Sequence, residues 1–292
     1  MLSPTYSSRS EGRASSLTLF PSLRYTRPMT TPTLDELLEV ALAAARDAGD
    51  VALHYFQRAL EVERKSDHTP VTVADREGER RLRARIEERF PDHGILGEEF
   101  GVVRENAPYR WVLDPIDGTQ SFIRGVPLWG VMIGVERDRE PVLGVLHFPA
   151  LNETVWARAG GGAWWNGKRA SVSGVARLEE ATLLTTDLRF FEEQGTQAVF
   201  ESLRARVQFE RTWGDCYGHA LVATGRADIM LDPILSEWDA CALLPILEEA
   251  GGRFSDWRGV RTIRGGNAVS TNALLFEGVI RAIRGEGPDI KA

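Results

Sequence analysis

The chain has 292 residues, 43% of them hydrophobic, enough to bury a substantial core in one large domain or two small ones. With 42 acidic against 35 basic residues the formal net charge is -7, which leaves no basic stripe for a phosphate backbone and argues against nucleic acid as a partner. Cys216 and Cys241 stand far apart and outside any CxxC pattern, so neither a disulfide framework nor a zinc ribbon is expected and a reducing cytoplasm suits the chain; no apolar run approaches the roughly 20 residues of a membrane-spanning helix.

Residues 1–30 are rich in Ser and Arg, carry one acid and show no sustained period, and so read as a disordered extension. A targeting peptide would share that bias, but the simpler expectation is an upstream translation start with Met29 as the working first residue, because a helix begins so soon afterwards. Thr33 and Glu36 form a capping-box pair, and Leu34, Leu37, Leu38, Ala41, Leu42, Ala45 and Ala48 predict an amphipathic helix over residues 34–58. A second helix opens at Thr72 and Asp75, keeps its rhythm through Leu82, Ile86 and Phe90, and stops at Pro91. KSDHTPVTVAD between them is a loop. From Trp111 to Lys168 short β-rich runs predict a sheet of mostly meandering strands, with Asn166-Gly167 as a hairpin turn. After Ala181 strand and helix alternate: ATLLTT, a helix near 190–205, VQFERT, a helix over 215–224, ADIMLD, a helix over 239–250, RFSD, and a final helix from Thr271. That alternation implies an α/β layered unit. Residues 31–180 and 181–286 are the two halves of one compact unit, and no internal repeat is present.

WVLDPIDGTQSF, residues 111–122, places two aspartates three apart around a proline. Asp at the first and Pro at the second position of a turn would fold the chain back and bring the carboxylates of Asp114 and Asp117 together. Two anions at close range repel unless a cation lies between them, and oxygen ligands without a soft partner suit Mg2+. An isolated solvated turn is the plain alternative. An EF-hand fails, because Leu113, Pro115 and Arg124 would occupy ligand positions, and the Asp-x-Asp of haloacid-dehalogenase-type phosphatases has a different spacing. Gly118 and Thr119 then turn toward a helix through GTQSF, where free N–H groups could receive a phosphate. Glu98 and Glu99 follow a short apolar run in ILGEEFG, and Asp239 opens an apolar helix after Trp238. Taken singly, the first pair reads as solvated and Asp239 as an N-cap. The five histidines form no metal-like cluster, and most are expected at the surface or in packing.

Glu98 behind a strand, Asp114-x-x-Asp117-Gly-Thr, and Trp238-Asp239 before a helix ending Glu-Ala-Gly-Gly together resemble the inositol monophosphatase superfamily of metal-dependent phosphatases, over residues 34 to about 284. The resemblance implies a five-layer α/β/α/β/α sandwich, usually a homodimer, that hydrolyses small phosphate monoesters with two or three Mg2+. It implies Glu98, Asp114, Asp117, Asp239 and the main-chain carbonyl of Ile116 as metal ligands. The pattern TPVTxAD also matches, so Asp75 and Thr119, with Glu98, would serve catalysis by orienting a metal-activated water for direct attack. No covalent aspartyl phosphate is required.

Substrate choice falls on RTWGDCYGHALVATGRADIMLDP, between the second and third motifs. Asp232 stands where inositol phosphatases resemble one another in carrying Glu, and Trp213-Gly214-Asp215 stands where they have small residues, a departure from the inositol pattern. Asp215 and Asp232 would add charge around the leaving alcohol, and Trp213 and Tyr217 could offer planar surfaces; Gly118 and Thr119 would hold the phosphate. A cationic alcohol gains charge-assisted hydrogen bonds from such carboxylates, and a neutral polyol gains little. The run is similar to the histidinol-phosphatase branch, which implies L-histidinol phosphate and histidine biosynthesis. Inositol phosphate, fructose 1,6-bisphosphate or a nucleotide 3'-phosphate would use the same site, and a catalytically silent metal-binding scaffold is the alternative from another class. The plain alternative for the specificity run itself is that Asp215 caps the helix over 215–224 and that Trp213 and Tyr217 are packing residues.

Overall fold

The structure, a computed structural model, describes Met1 and residues 31–59, 62–64 and 70–286. The expectations for the N-terminal extension beyond Met1, and for the Lys65 end of the loop before Asp75, lie outside the described residues. Thr33 Oγ1 accepts the Glu36 N–H at 3.2 Å and the Glu36 carboxylate accepts the Thr33 N–H at 2.9 Å, so the predicted capping box opens α1 (Leu34–Tyr55). It ends before residue 58 because Phe56 leaves the helical region at ψ 135°. A short pair, β1 (Glu63–Arg64) and β2 (Pro70–Val71), leads to α2 (Val73–Arg89), capped by Thr72 and Asp75 and ended at Phe90 before Pro91.

The first sheet is built from β3 (Gly94–Gly97), β4 (Gly101–Val103), β5 (Tyr109–Asp117), then, after the single turn α3 (Thr119–Phe122), β6 (Gly130–Arg137), β7 (Glu140–Phe148), β8 (Glu153–Arg158), β9 (Gly162–Trp165) and β10 (Lys168–Arg169). Its order is β10-β9-β8-β7-β6-β5-β3-β4, the predicted meander with β3 added parallel to β5. Asn166 and Gly167 both take positive φ, 45° and 75°, as a two-residue hairpin between twisted strands needs.

The second sheet takes β11 (Thr182–Leu184), then α4 (Leu188–Glu193) and α5 (Gln197–Arg204), β12 (Phe209–Arg211), α6 (Asp215–Ala223), β13 (Ile229–Asp232), α7 (Glu237–Ala240), α8 (Leu243–Glu249), β14 (Gly252–Ser255), β15 (Ala268–Asn272) and α9 (Phe276–Ile283), with strand order β12-β11-β13-β15-β14. Three expectations are corrected. The helix near 190–205 is two helices, parted at Gly195 with φ 65°. The helix over 239–250 is also two, and Asp239 lies inside the first. No helix starts at Thr271: that residue is in β15, wholly buried and hydrogen-bonded on both sides, between β13 and β14, and the helix begins at Phe276.

Five layers result. Leu37, Ala41, Ala45, Leu82 and Ile86 of α1 and α2 pack on Trp111, Leu113 and Ile133 at one face of the first sheet. Val112, Met132 and Leu146 on its other face meet α6 and α8 through Leu221, Leu244 and Leu247, whose cluster continues to Met230 and Phe254 of the second sheet. Phe200, Leu203, Val279 and Ile283 of α5 and α9 close the outer face over Leu183, Ile229 and Val269. Burial on both faces explains why these strands read as near-continuous apolar runs. The fold is the predicted α/β/α/β/α sandwich. Among the described residues no helix is long and apolar enough to cross a membrane.

Candidate metal centre and active site

Residues three apart on a regular strand point to opposite faces. In β5, however, Asp114 faces Met132 and Asp117 faces Gly130, so three steps on β5 match two on β6 and Pro115-Ile116 form a bulge. Proline suits the place because it has no N–H to give the ladder. The extra residue returns Asp117 to the face that carries Asp114, and Asp114 Oδ1 accepts the freed Ile116 N–H at 2.9 Å. The predicted fold-back at Asp-Pro is therefore corrected: the chain stays extended, and a bulge, not a turn, converges the carboxylates.

The third carboxylate arrives from α7. Ser236 caps that turn and its N–H donates to Asp239 Oδ2 at 2.9 Å, a capping box readable in Ser-Glu-Trp-Asp. The α7–α8 junction lies close against the sheet because Gly134 and Gly144 have no Cβ there; a Cβ on Gly144 would sit 2.0 Å from Ala242 O and one on Gly134 2.4 Å from Cys241 Sγ. Asp114, Asp117 and Asp239 each place a carboxylate oxygen within 4.8 Å of the others. Glu98, whose N–H extends the β3–β5 pairing to Leu113 O at 3.1 Å, lines the same cavity of about 430 Å³. Thr119 Oγ1 lies 3.0 Å from Ile116 O and 3.4 Å from Asp75 Oδ1, while Asp75 Oδ2 accepts the Thr72 N–H and hydroxyl at 2.7 and 2.6 Å. The Thr119 hydroxyl has one proton for two acceptors, so its lone pairs are left for a ligand.

Gly118, with φ 84°, is the N-cap of α3 and brings the backbone to the cavity wall; a Cβ there would meet Leu128 O at 2.9 Å and Asp215 Oδ2 at 3.0 Å. Asp215 and Asp232 also line the cavity, with Asp215 beside Gly118. Thr186, His219 and Ser236 also line the cavity and were missed. Thr186 Oγ1 accepts the Asp215 N–H and donates to Asp232 Oδ1, both at 2.9 Å, and His219 Nε2 lies 3.0 Å from Asp232 Oδ2. Only the Ser236 capping box had a sequence signal; a lone buried His and a Thr after a strand have none. Trp213 is not brought in. It is 44% exposed, outside the cavity lining, with the Arg211 guanidinium over its ring. Tyr217 likewise turns away, edge-on to Phe148.

Burial pushes the carboxyls of Asp114, Asp239 and Asp215 well above the ordinary range, and their mutual repulsion adds to it: Glu98, Asp117 and Asp239 act on Asp114, and Asp117 acts on Asp239 and Asp215. Asp117 is raised chiefly by burial, opposed by the Cys216 N–H that donates to its Oδ2. Asp75 is raised by burial as well. Such a cluster is unfavourable alone and favourable around a cation. The donor set, all hard oxygens with no His or Cys, fits a hard divalent ion, and the backbone at Gly118 beside it leaves room for a small ester.

The chain matches the model of the inositol monophosphatase family over residues 33–287. It is 45% identical over 248 residues, 84% of this chain and 96% of the relative, to a histidinol-phosphatase of Chlorobaculum parvum. A Mycobacterium tuberculosis histidinol-phosphatase is 39% identical, with the same coverage. Among solved structures, the extragenic suppressor protein suhB of Bartonella henselae superposes with a TM-score of 0.81 at 28% identity, over 85% of this chain and 98% of that one. A matching family model, close relatives along nearly the whole length and a shared fold place the chain in the inositol monophosphatase family, as a metal-dependent phosphomonoesterase.

Proposed function

We propose that the chain is a Mg2+-dependent histidinol-phosphatase, with Glu98, Asp114, Asp117, Asp239 and the Ile116 carbonyl holding the metal. Bound there, the cations supply an acidified water near neutral pH and draw off charge that builds on the phosphoryl group. Gly118 and Thr119 receive the phosphate where the backbone turns into α3. Thr119 orients the attacking water through its hydroxyl, and Asp75, raised by burial and 3.4 Å from that hydroxyl, takes the proton, with Glu98 on the same cavity wall. A cationic group carried by the leaving alcohol is met by Asp215 and Asp232.

One observation carries the choice of substrate: Asp187, Asp215 and Asp232 line the cavity that holds the metal cluster. Three carboxylates suit an alcohol bearing an amine and an imidazole, and give nothing of the kind to a neutral polyol. Likeness to relatives named histidinol-phosphatase supports the same reading. Phosphate release from L-histidinol phosphate, inositol 1-phosphate, fructose 1,6-bisphosphate and a nucleotide 3'-phosphate, with Mg2+ or EDTA, tests it. Fastest Mg2+-dependent turnover of histidinol phosphate is expected. A faster neutral polyol ester would overturn the substrate, and turnover unaffected by EDTA would overturn the metal.

A further inference from the structure

The three clustered aspartates of the centre come from two places, β5 and α7, and their repulsion drives these apart. Arg110 lies on β5, four residues before Asp114, and its side chain is 5% exposed. Its Nε donates to Glu136 Oε2 on β6 at 2.6 Å and its Nη2 donates to Glu237 Oε2 at 2.6 Å. Glu237 is on α7, two residues before Asp239. Arg264 closes the ring, bonded to Glu136 and 3.3 Å from Glu237. Two positive and two negative groups alternate, formally neutral, and join β5, β6 and α7.

We propose that Arg110 is a positioning residue for the metal centre, a clamp that holds Asp239 of α7 against Asp114 and Asp117 of β5. This rests on the reading that those aspartates bind the divalent ion, and not on the identity of the substrate. An ion ring with Glu136 1% exposed is poor at adding stability, because desolvation offsets the attraction and apolar residues of similar volume would serve as well. What apolar side chains cannot do is fix direction. A planar guanidinium spaces two carboxylates at set angles, here one from the sheet and one from α7. A helix of four residues has little internal rigidity of its own, so its placement depends on such ties.

Mg2+ titration calorimetry on the full chain tests the clamp with Glu237→Gln, Arg110→Lys and Asp239→Asn. Glu237→Gln keeps the buried Arg110–Glu136 pair, and by loosening the tie that places α7 should weaken Mg2+ binding, about 10-fold if it matters as much as a ligand's own hydrogen-bond partner. It should also raise the Mg2+ needed for half-maximal activity, while activity at saturating Mg2+ recovers. Arg110→Lys, which keeps the charge but not the fork, should weaken binding in the same direction. Should Glu237→Gln not fold, Glu237→Asp, which keeps the charge but shortens the reach to Arg110 Nη2, must show the same shift. A role in stability alone would lower the unfolding temperature and leave Mg2+ affinity at the parent value, and that result overturns the clamp. If Asp239→Asn itself leaves Mg2+ affinity intact, the metal-site reading falls with it; if it abolishes binding while Glu237→Gln does not alter it, only the clamp falls.

Discussion

Removal of one carboxylate from the cluster should make the metal-free protein more stable and the metal-loaded protein less so. Asp239 faces Asp114 and Asp117 with oxygens within 4.8 Å, and a pair of unit charges at that range repels by about 3 kcal/mol at an effective dielectric of about 20. Proton uptake relieves part of this, since burial and the neighbouring charges hold these carboxyls above the ordinary range. With folded pKa values raised above unfolded ones, the folded state binds more protons, so stability of the metal-free parent falls as pH rises from about 4 through the folded values. In EDTA at pH 8, Asp239→Asn should therefore gain about 1–3 kcal/mol, or some 2–10 °C in Tm for a chain of this size. The Asn oxygen can still accept the Ser236 N–H, so the cap survives. Mg2+ at about 1,000 times its dissociation constant should add about 4.1 kcal/mol to the parent and much less to the variant, so their order reverses. Urea unfolding of both proteins at pH 8 in EDTA and in Mg2+ measures all four values. Equal destabilisation of the variant in both buffers, or unchanged turnover with Mg2+, would refute the argument.

Three other outcomes are expected. Asp215→Ala should cost more kcat/KM on histidinol phosphate than on a neutral ester, by 10-fold or more for a lost charge-assisted bond, and equal losses would count against a cationic leaving group. His93 is stacked between Phe90 and Tyr109 and accepts the Trp111 indole N–H at Nδ1, 3.0 Å; mainly through burial its pKa is pushed down to about 4. The neutral ring's contribution is present above pH 6.5 and lost as pH falls toward 4, by at most about 3 kcal/mol, so NMR titration of His93 near 6.5 would disprove it. Gly144→Ala, whose Cβ would lie 2.0 Å from Ala242 O, should destabilise by about 1–3 kcal/mol and raise the Mg2+ requirement by displacing α7, whereas Gly174→Ala, with open space, should do neither in chemical unfolding and Mg2+ titration.

Much of the fold could be read from local rules. Thr33 with Glu36 and Thr72 with Asp75 carry helix starts within four residues, and Asn166-Gly167 carries its hairpin within two, so no distant partner was needed to see them. β15 was misread because AVSTN is short and its strand state comes from pairing on both sides. Trp213 was misplaced because an aromatic beside a motif says nothing of the direction in which its side chain leaves the backbone. The acidic residues of the site were legible by type and order, through Asp114-Pro115-Ile116-Asp117-Gly118-Thr119 and Trp238-Asp239.

The amino-acid sequence alone thus determined which carboxylates are available, the caps that set the helices carrying them, and the oxygen chemistry that suits a hard cation, all properties of residue type and near-neighbour spacing. Tertiary structure decided the rest. A bulge defined only against β6 turns Asp117 to the face of Asp114, two glycines on neighbouring strands let α7 approach, and four charges from β5, β6, α7 and the segment before β15 meet in one ring. Each of these depends on which strand or helix lies opposite, and that is settled by packing of the whole core and not by any local run of residues.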